Sequence, residues 1–114
     1  MEELKISIQD KKEIEKFILI NVIGLMDSLK DGLVTIDECE IYLYSPYSIK
    51  KLSDLKIDNN IIDLIEEGCE LEDIESLVPE KLDNAIDSIK KKASKLLSEL
   101  SNKDKETGQK KWID

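Results

Sequence analysis

The chain has 114 residues, and its 26 acidic side chains against 17 lysines give a net charge of −9, with no arginine and no histidine. This length is typical of one domain with a single hydrophobic core. The charge argues against nucleic acids and membranes as partners, because both attract basic surfaces. The missing histidine removes the commonest proton shuttle and metal ligand, and the missing arginine removes the bidentate phosphate clamp.

The sequence contains no recognisable targeting or membrane-spanning segment. It is charged from its second residue and lacks the apolar stretch of a secretory signal. The longest apolar run, 17–26, is interrupted by Asn21 and Gly24 and is shorter than the roughly 20 residues that span a bilayer. We interpret Cys39 and Cys69 as reduced thiols, since a disulfide-dependent secreted domain normally has more cysteines. We therefore expect a soluble, cytosolic protein.

The first predicted element is a long helix over residues 11–30. Asp10 and Glu13 form a capping-box pattern, and apolar residues at helical spacing continue behind it as far as Lys30. The middle of this segment is apolar on nearly every side. We therefore expect the helix to be covered on most faces and to form the centre of the fold.

A short second helix is predicted after a turn. Gly32 is suited to end the first helix, and Thr35 with Glu38 forms the next capping box. This helix should continue to about residue 44, where the Ser45-Pro46 step ends it.

Further helices are predicted over 48–55, from Asp58 to Gly68, over 73–77, and finally over about 80–100. The apolar residues of the last helix recur at intervals of three and four, which predicts one continuous seam. We interpret the seam as packing within the chain, and a coiled coil with a second chain is the alternative. The sequence thus predicts an all-α, single-domain bundle of about five to six helices over 1–100. The seam residues are Leu82, Ile86, Ile89, Ala93, Leu96 and Leu100.

The two ends of the chain do not fit the helical pattern. Leu4, Ile6 and Ile8 alternate with polar residues, so we expect an extended segment over 1–9, for which no partner strand is recognisable. Residues 101–114 are polar except for Trp112 and Ile113, and we expect them to form a mobile tail.

The segment from Asp27 to Glu38 resembles the twelve-residue EF-hand calcium loop. Asp27, Asp31 and Glu38 fall at positions 1, 5 and 12, and Gly32 falls at the turn position. Position 3, however, is Leu29, which supplies no oxygen, and no second loop of this kind follows. A helix stop followed by a helix cap explains the same residues. We therefore expect no metal or other cofactor, and we keep a degenerate calcium-binding helix-loop-helix as an alternative.

Nine acidic residues without a lysine lie between residues 58 and 80. The segments on either side carry −3 and +3, so the entire net charge is concentrated in this acidic block. Like charges at helical spacing cost roughly 0.2–0.5 kcal/mol per pair, whereas a field of one sign accelerates association with a cationic partner. A solvated surface that confers solubility is the alternative. The predicted partner-binding residues are Asp58, Asp63, Glu66, Glu67, Glu70, Glu72, Asp73 and Glu75, of which Asp63, Glu66, Glu67 and Glu70 should form one helical stripe.

Three of the five aromatic residues, Tyr42, Tyr44 and Tyr47, lie within six positions. Such a cluster is typical of an interface hot spot, so we include all three among the candidate partner-binding residues. With few other aromatic residues available, we also expect at least one of them in the core.

No pattern of catalytic residues is recognisable in the sequence. It contains no Gly-rich phosphate loop, no CxxC motif, and no histidine base for a serine or cysteine nucleophile. Acid-base catalysis by paired carboxylates needs a cleft that separates their pKa values, and a stripe on one exposed helix favours a surface instead. We therefore expect a protein without enzymatic activity.

The segments GLMDSLKDGLVTIDECEIYLYSPYSI and IEEGCELEDIESLVPEKL, within 15–100, resemble an uncharacterised family of small acidic helical bacterial proteins. The resemblance implies a similar small helical protein and supplies no site residues. In character, such proteins resemble immunity proteins, which neutralise a toxin by covering its active surface. Our leading hypothesis is a monomeric immunity or inhibitor protein that binds a cationic protein partner, such as a cognate toxin. A self-associating helical regulatory or structural protein is the alternative from another class.

Overall fold

The structure, a computed structural model, describes residues 2–103 and 111–114. This part of the chain forms six α-helices and no strand, which confirms the all-α prediction. A 3₁₀ turn at Pro79–Lys81 leads into the last helix. Within the described ranges, no helix combines the length and apolar character needed to cross a membrane. The helices are α1 (Lys11–Lys30), α2 (Ile36–Tyr42), α3 (Pro46–Asp54), α4 (Asn59–Cys69), α5 (Leu71–Leu77) and α6 (Leu82–Lys103).

The two long helices, α1 and α6, run antiparallel and form the most extensive helix pair. Ion pairs of 2.7 Å fix their register, one from Lys30 to Asp87 and one from Lys90 to Asp27. The seam of α6 packs inside the chain, because its central residues are buried against α1 and α4. The core between the long helices contains Leu19, Val22, Met26, Ile86, Ile89 and Ala93.

One strip of α1 remains open to solvent. Ile20 is 45% exposed, and Gly24 is exposed, with no atom within 4 Å of the position that a Cβ would occupy. The prediction that α1 is covered on most faces therefore holds for the sides that contact α2, α4 and α6, and not for this strip.

Local capping explains where the first two helices begin and end. Gly32 adopts a φ of 73°, and the N–H of Leu33 donates to the carbonyl of Ser28, so Gly32 ends α1 as predicted. Thr35 and Glu38 form a complete capping box, in which each side chain accepts from the other residue's N–H at 3.0 Å.

Several boundaries differ from the prediction by a few residues, and α5 begins at Leu71 instead of Asp73. Helix α3 begins at Pro46 with Ser45 as its N-cap, because proline fits the first turn of a helix as well as it ends the preceding one. Gly68 does not stop α4, which continues to Cys69. A Cβ at position 68 would overlap the ring of Tyr44, so this glycine provides space for the close approach of an aromatic ring.

The two ends of the chain pair with each other. Ile6 and Ile113 form an antiparallel bridge, supported by hydrogen bonds of 2.9 Å from Ser7 to Trp112 and from Asp114 to Lys5. The Trp112 ring packs edge-on against Phe17, with ring centroids 5.1 Å apart.

The placement of the carboxyl-terminal residues differs from the mobile tail predicted over 101–114. Residues 101–103 continue α6, and 111–114 supply the partner that was not recognised for the amino-terminal extended segment. Residues 104–110 of that prediction lie outside the described residues. The backbone hydrogen bonds of the bridge and the packing of Trp112 on Phe17 hold the two ends together, while Ile6 and Ile113 remain largely exposed.

Candidate functional site

The acidic block lies on α4, α5 and the turns that flank them, and its side chains are almost all exposed. Glu67 is the exception, since it is half-buried. The exposed candidates are Asp58, Asp63, Glu66, Glu70, Glu72, Asp73 and Glu75.

The stripe on α4 is less uniform than its spacing predicts. Glu67 forms a 2.7 Å ion pair with Lys92 of α6. An open groove of about 410 Å³ between α4 and α6 is lined by Asp63 and Glu67 together with Lys92 and Lys95. Two of the four stripe residues therefore line a groove of mixed charge and not a purely acidic surface.

Asp58 has a structural position. Its side chain accepts from the N–H of Asn60 at 2.8 Å and caps α4. Its own N–H donates at 2.9 Å to the carboxylate of Glu15, which is buried in α1. Asp58 thus joins the start of α4 to α1.

Four acidic residues come together where α2 meets α5. Glu40 of α2 and Glu72 of α5 lie close enough for their carboxyl groups to influence each other. Hydrogen bonding to Glu72, burial, and the nearby charges of Glu72, Asp37 and Asp73 raise the pKa of Glu40. None of the four forms an ion pair with a lysine of the described chain. We call Asp37, Glu40, Glu72 and Asp73 the α2–α5 surface.

Sequence reasoning identified half of this surface. Glu72 and Asp73 belong to the acidic block, whereas Asp37 and Glu40 lie about 30 residues earlier. The available signal was the run IDECE of α2, which carries three acids in five residues. Only the packing of α2 against α5 brings the two segments together.

The three tyrosines separate into one core residue and two surface residues. Tyr44 is 1% exposed, and its ring packs against Gly68. It is therefore unable to contact a partner, which corrects its inclusion in the binding set. Tyr42 and Tyr47 are exposed. The Tyr42 hydroxyl donates to Glu38 at 3.2 Å, and this hydrogen bond and the carboxylate charge raise the pKa of Tyr42.

Two of the three acids at EF-hand ligand positions are engaged in contacts within the protein. Glu38 accepts from the N–H of Thr35 through Oε1 and from the Tyr42 hydroxyl through Oε2, and Asp27 pairs with Lys90. Across the described ranges, no group of three or more acidic or cysteine side chains is arranged to hold a metal ion.

Both cysteines are free thiols. Burial raises the pKa of Cys39 and of Cys69, and neighbouring carboxylates raise both further. Because the thiolate is the reactive form, this environment makes both side chains poor nucleophiles.

A family model described as a protein of unknown function, DUF3969, matches residues 9–114. The match includes all six helices and the carboxyl-terminal residues that pair with the start of the chain. No curated protein and no solved structure matches the chain.

Proposed function

The chain belongs to the DUF3969 family of proteins of unknown function, and from its own surface we propose that it is a non-enzymatic protein that binds a cationic protein partner on the α2–α5 surface. The observation that carries the proposal is that the packing of α2 against α5 brings four acids together, none of which pairs with a lysine of the described chain. These residues belong to different helices, so the fold itself holds the four acids together.

The Glu40–Glu72 contact is electrostatically unfavourable in the free protein. Neighbouring carboxylates repel each other when both are charged, and this repulsion contributes to the raised pKa of Glu40. A lysine or arginine placed between them would favour both charged forms. Binding of a cationic partner should therefore lower this pKa.

We further propose that the protein is of the immunity or inhibitor type and that its partner is a toxin whose basic surface it covers. The net charge of −9 supports this, because opposite charge accelerates the encounter of two proteins and gives specificity. Self-association through the α6 seam is less well supported. Ile86, Ile89 and Ala93 are already buried within one chain and are not available to a second chain.

The test uses the product of a toxin-like reading frame next to the gene and measures association at low and at physiological salt. The double variant Glu40→Gln with Glu72→Gln should associate roughly tenfold more slowly at low salt, because long-range charge governs the encounter. Glu2→Gln with Glu3→Gln is the matched control, since it removes the same charge from exposed positions outside the surface. Equal slowing in both double variants would contradict the proposed site.

A further inference from the structure

Exposed apolar side chains are concentrated around α2. Of the ten large apolar residues that are exposed in the described chain, four lie between residues 33 and 47. Ile41 is 79% exposed and Tyr42 is 59% exposed, on a helix of only seven residues. Single exposed apolar residues are common on protein surfaces, but such a concentration is typical of an interaction site. These four residues are Leu33, Ile41, Tyr42 and Tyr47.

The acids of α2 lie on the same outer face as these apolar residues. Ile41 follows Asp37 by four positions, and Tyr42 follows Glu38 by four positions, so each pair shares one side of the helix. The hydrogen bond from Tyr42 to Glu38 fixes one of these pairs in the free protein. The outer face of α2 therefore presents two apolar side chains bordered by carboxylates, and its neighbour α5 adds Glu72 and Asp73.

The charge of this face determines which partner fits it. A second copy of the chain would bring the same carboxylates against each other, which opposes self-association at a net charge of −9. A helix with one apolar face flanked by lysine or arginine would cover Ile41 and Tyr42 and neutralise the acids around them.

We propose that the outer face of α2 (Asp37, Glu38, Ile41 and Tyr42) is the docking site for a basic amphipathic helix of the partner. This inference rests on the proposed function and specifies the partner segment. The apolar side chains of the partner cover Ile41 and Tyr42, and its cationic side chains pair with the carboxylates of α2 and α5. Apolar contact then adds affinity and specificity to the electrostatic attraction of the α2–α5 surface.

The experiment compares two labelled peptides of about 18 residues, long enough for several helical turns. Both contain the same leucines and lysines. In one peptide they are spaced to form an amphipathic helix, and in the other they are permuted so that no apolar face forms. Fluorescence anisotropy at low and at physiological salt measures their affinities. We expect the amphipathic peptide to bind the wild-type protein roughly tenfold more tightly than the permuted peptide.

The variants separate apolar docking from charge. Ile41→Ser should reduce binding of the amphipathic peptide about fivefold and leave the permuted peptide unchanged. Ile20→Ser is the matched control, because Ile20 is also exposed but lies on α1, and it should change neither affinity. Circular dichroism verifies that both variants are folded.

The outcomes distinguish this inference from the proposed function. Equal affinity for both peptides, or equal losses in Ile41→Ser and Ile20→Ser, would overturn the docking site while leaving cationic binding in place. Absence of binding by both peptides at low salt would overturn the proposed function as well. A wild-type dimer in sedimentation that dissociates in Ile41→Ser would also overturn the inference, by identifying a second copy as the occupant.

Discussion

Gly68 and Gly24 both lie inside α-helices, but only Gly68 is required by packing. A Cβ at Gly68 would overlap the Tyr44 ring, whereas a Cβ at Gly24 meets no atom within 4 Å. Tyr44 is fully enclosed in the core, so its ring has little room to move. We therefore expect alanine to destabilise the protein at position 68 and to stabilise it at position 24.

We expect Gly68→Ala to lower the free energy of unfolding by about 1–3 kcal/mol, which is the usual cost of overpacking. Gly24→Ala should raise it by about 0.5–1 kcal/mol, because alanine is the better helix former at an open position. Urea denaturation of both variants measures the difference. A neutral or stabilising Gly68→Ala would show that Tyr44 can shift without cost.

Some roles of single residues can be predicted from the sequence, and others depend on tertiary packing. The capping box of Thr35 and Glu38 was predictable, because both partners are three positions apart. Residue type alone predicts that Gly68 stops a helix, whereas its actual role depends on a tyrosine 24 positions earlier. Which of three tyrosines is buried was likewise undetermined, since their spacing carries no information about tertiary packing.

At the scale of elements, α1 was predicted to its observed bounds because local caps and periodicity determine it. The pairing of the two chain ends was missed, since it joins residues that are more than 100 positions apart. The sequence signal for it was weak. Both ends carry a few apolar residues in otherwise polar segments, and either end considered alone is typical of an unstructured terminus.

We expect Trp112→Ala to lower the free energy of unfolding, because it removes the edge-on contact with Phe17. Such aromatic contacts contribute about 0.5–1.5 kcal/mol beyond the area that they bury. Chemical denaturation followed by circular dichroism measures the loss, since the variant lacks the only tryptophan. Ile113→Ser is the control, because Ile113 is mostly exposed and should contribute little. Equal stability of Trp112→Ala and wild type would show that the ring contact is not stabilising.

The acids where α2 meets α5 make the free energy of unfolding depend on pH. The pKa of Glu40 is raised in the folded protein, so between its ordinary and raised values the folded state holds more protons than the unfolded state. The free energy of unfolding should therefore fall as pH rises from the ordinary to the raised pKa of Glu40. At higher pH it should stay at this lower value.

We expect Glu72→Gln to remove most of this loss. The variant should be more thermally stable than wild type at pH 7 and should not differ at a pH well below the ordinary pKa of a glutamate, about 4.3. Glu75→Gln is the matched control on the same helix, because Glu75 does not contribute to the shift at Glu40. Thermal unfolding at both pH values provides the measurement. A gain at pH 7 of equal size in both variants would assign the effect to net charge instead of the Glu40–Glu72 contact.

At the scale of the whole molecule, charge is distributed unevenly over the fold. Lys90 and Lys92 of α6 pair with acids of α1 and α4, and Lys30 of α1 pairs with an acid of α6, so the negative charge on that side is partly offset. The acids of α2 and α5 have no such lysines among the described ion pairs. The concentration of charge in one block was predictable from the sequence, but its division into a compensated and an uncompensated side depends on which helices are neighbours.

This distribution creates two opposing responses to salt. Screening weakens the exposed interhelical ion pairs, each of which contributes about 0–1 kcal/mol, and also weakens repulsion among the uncompensated acids. At a net charge of −9 the repulsion should dominate, so the melting temperature should rise with NaCl concentration.

Two charge reversals test which response dominates. Glu70→Lys lowers the magnitude of the net charge within the acidic block and should flatten the rise of melting temperature with salt. Lys91→Glu raises that magnitude by the same amount at an exposed position of α6 and should steepen the rise. Calorimetry between about 10 mM NaCl, where the screening length is about 30 Å, and about 0.3 M NaCl measures the slopes. A melting temperature that falls with salt in the wild type would instead show that the ion pairs joining α6 to α1 and α4 contribute more to stability than the acids repel.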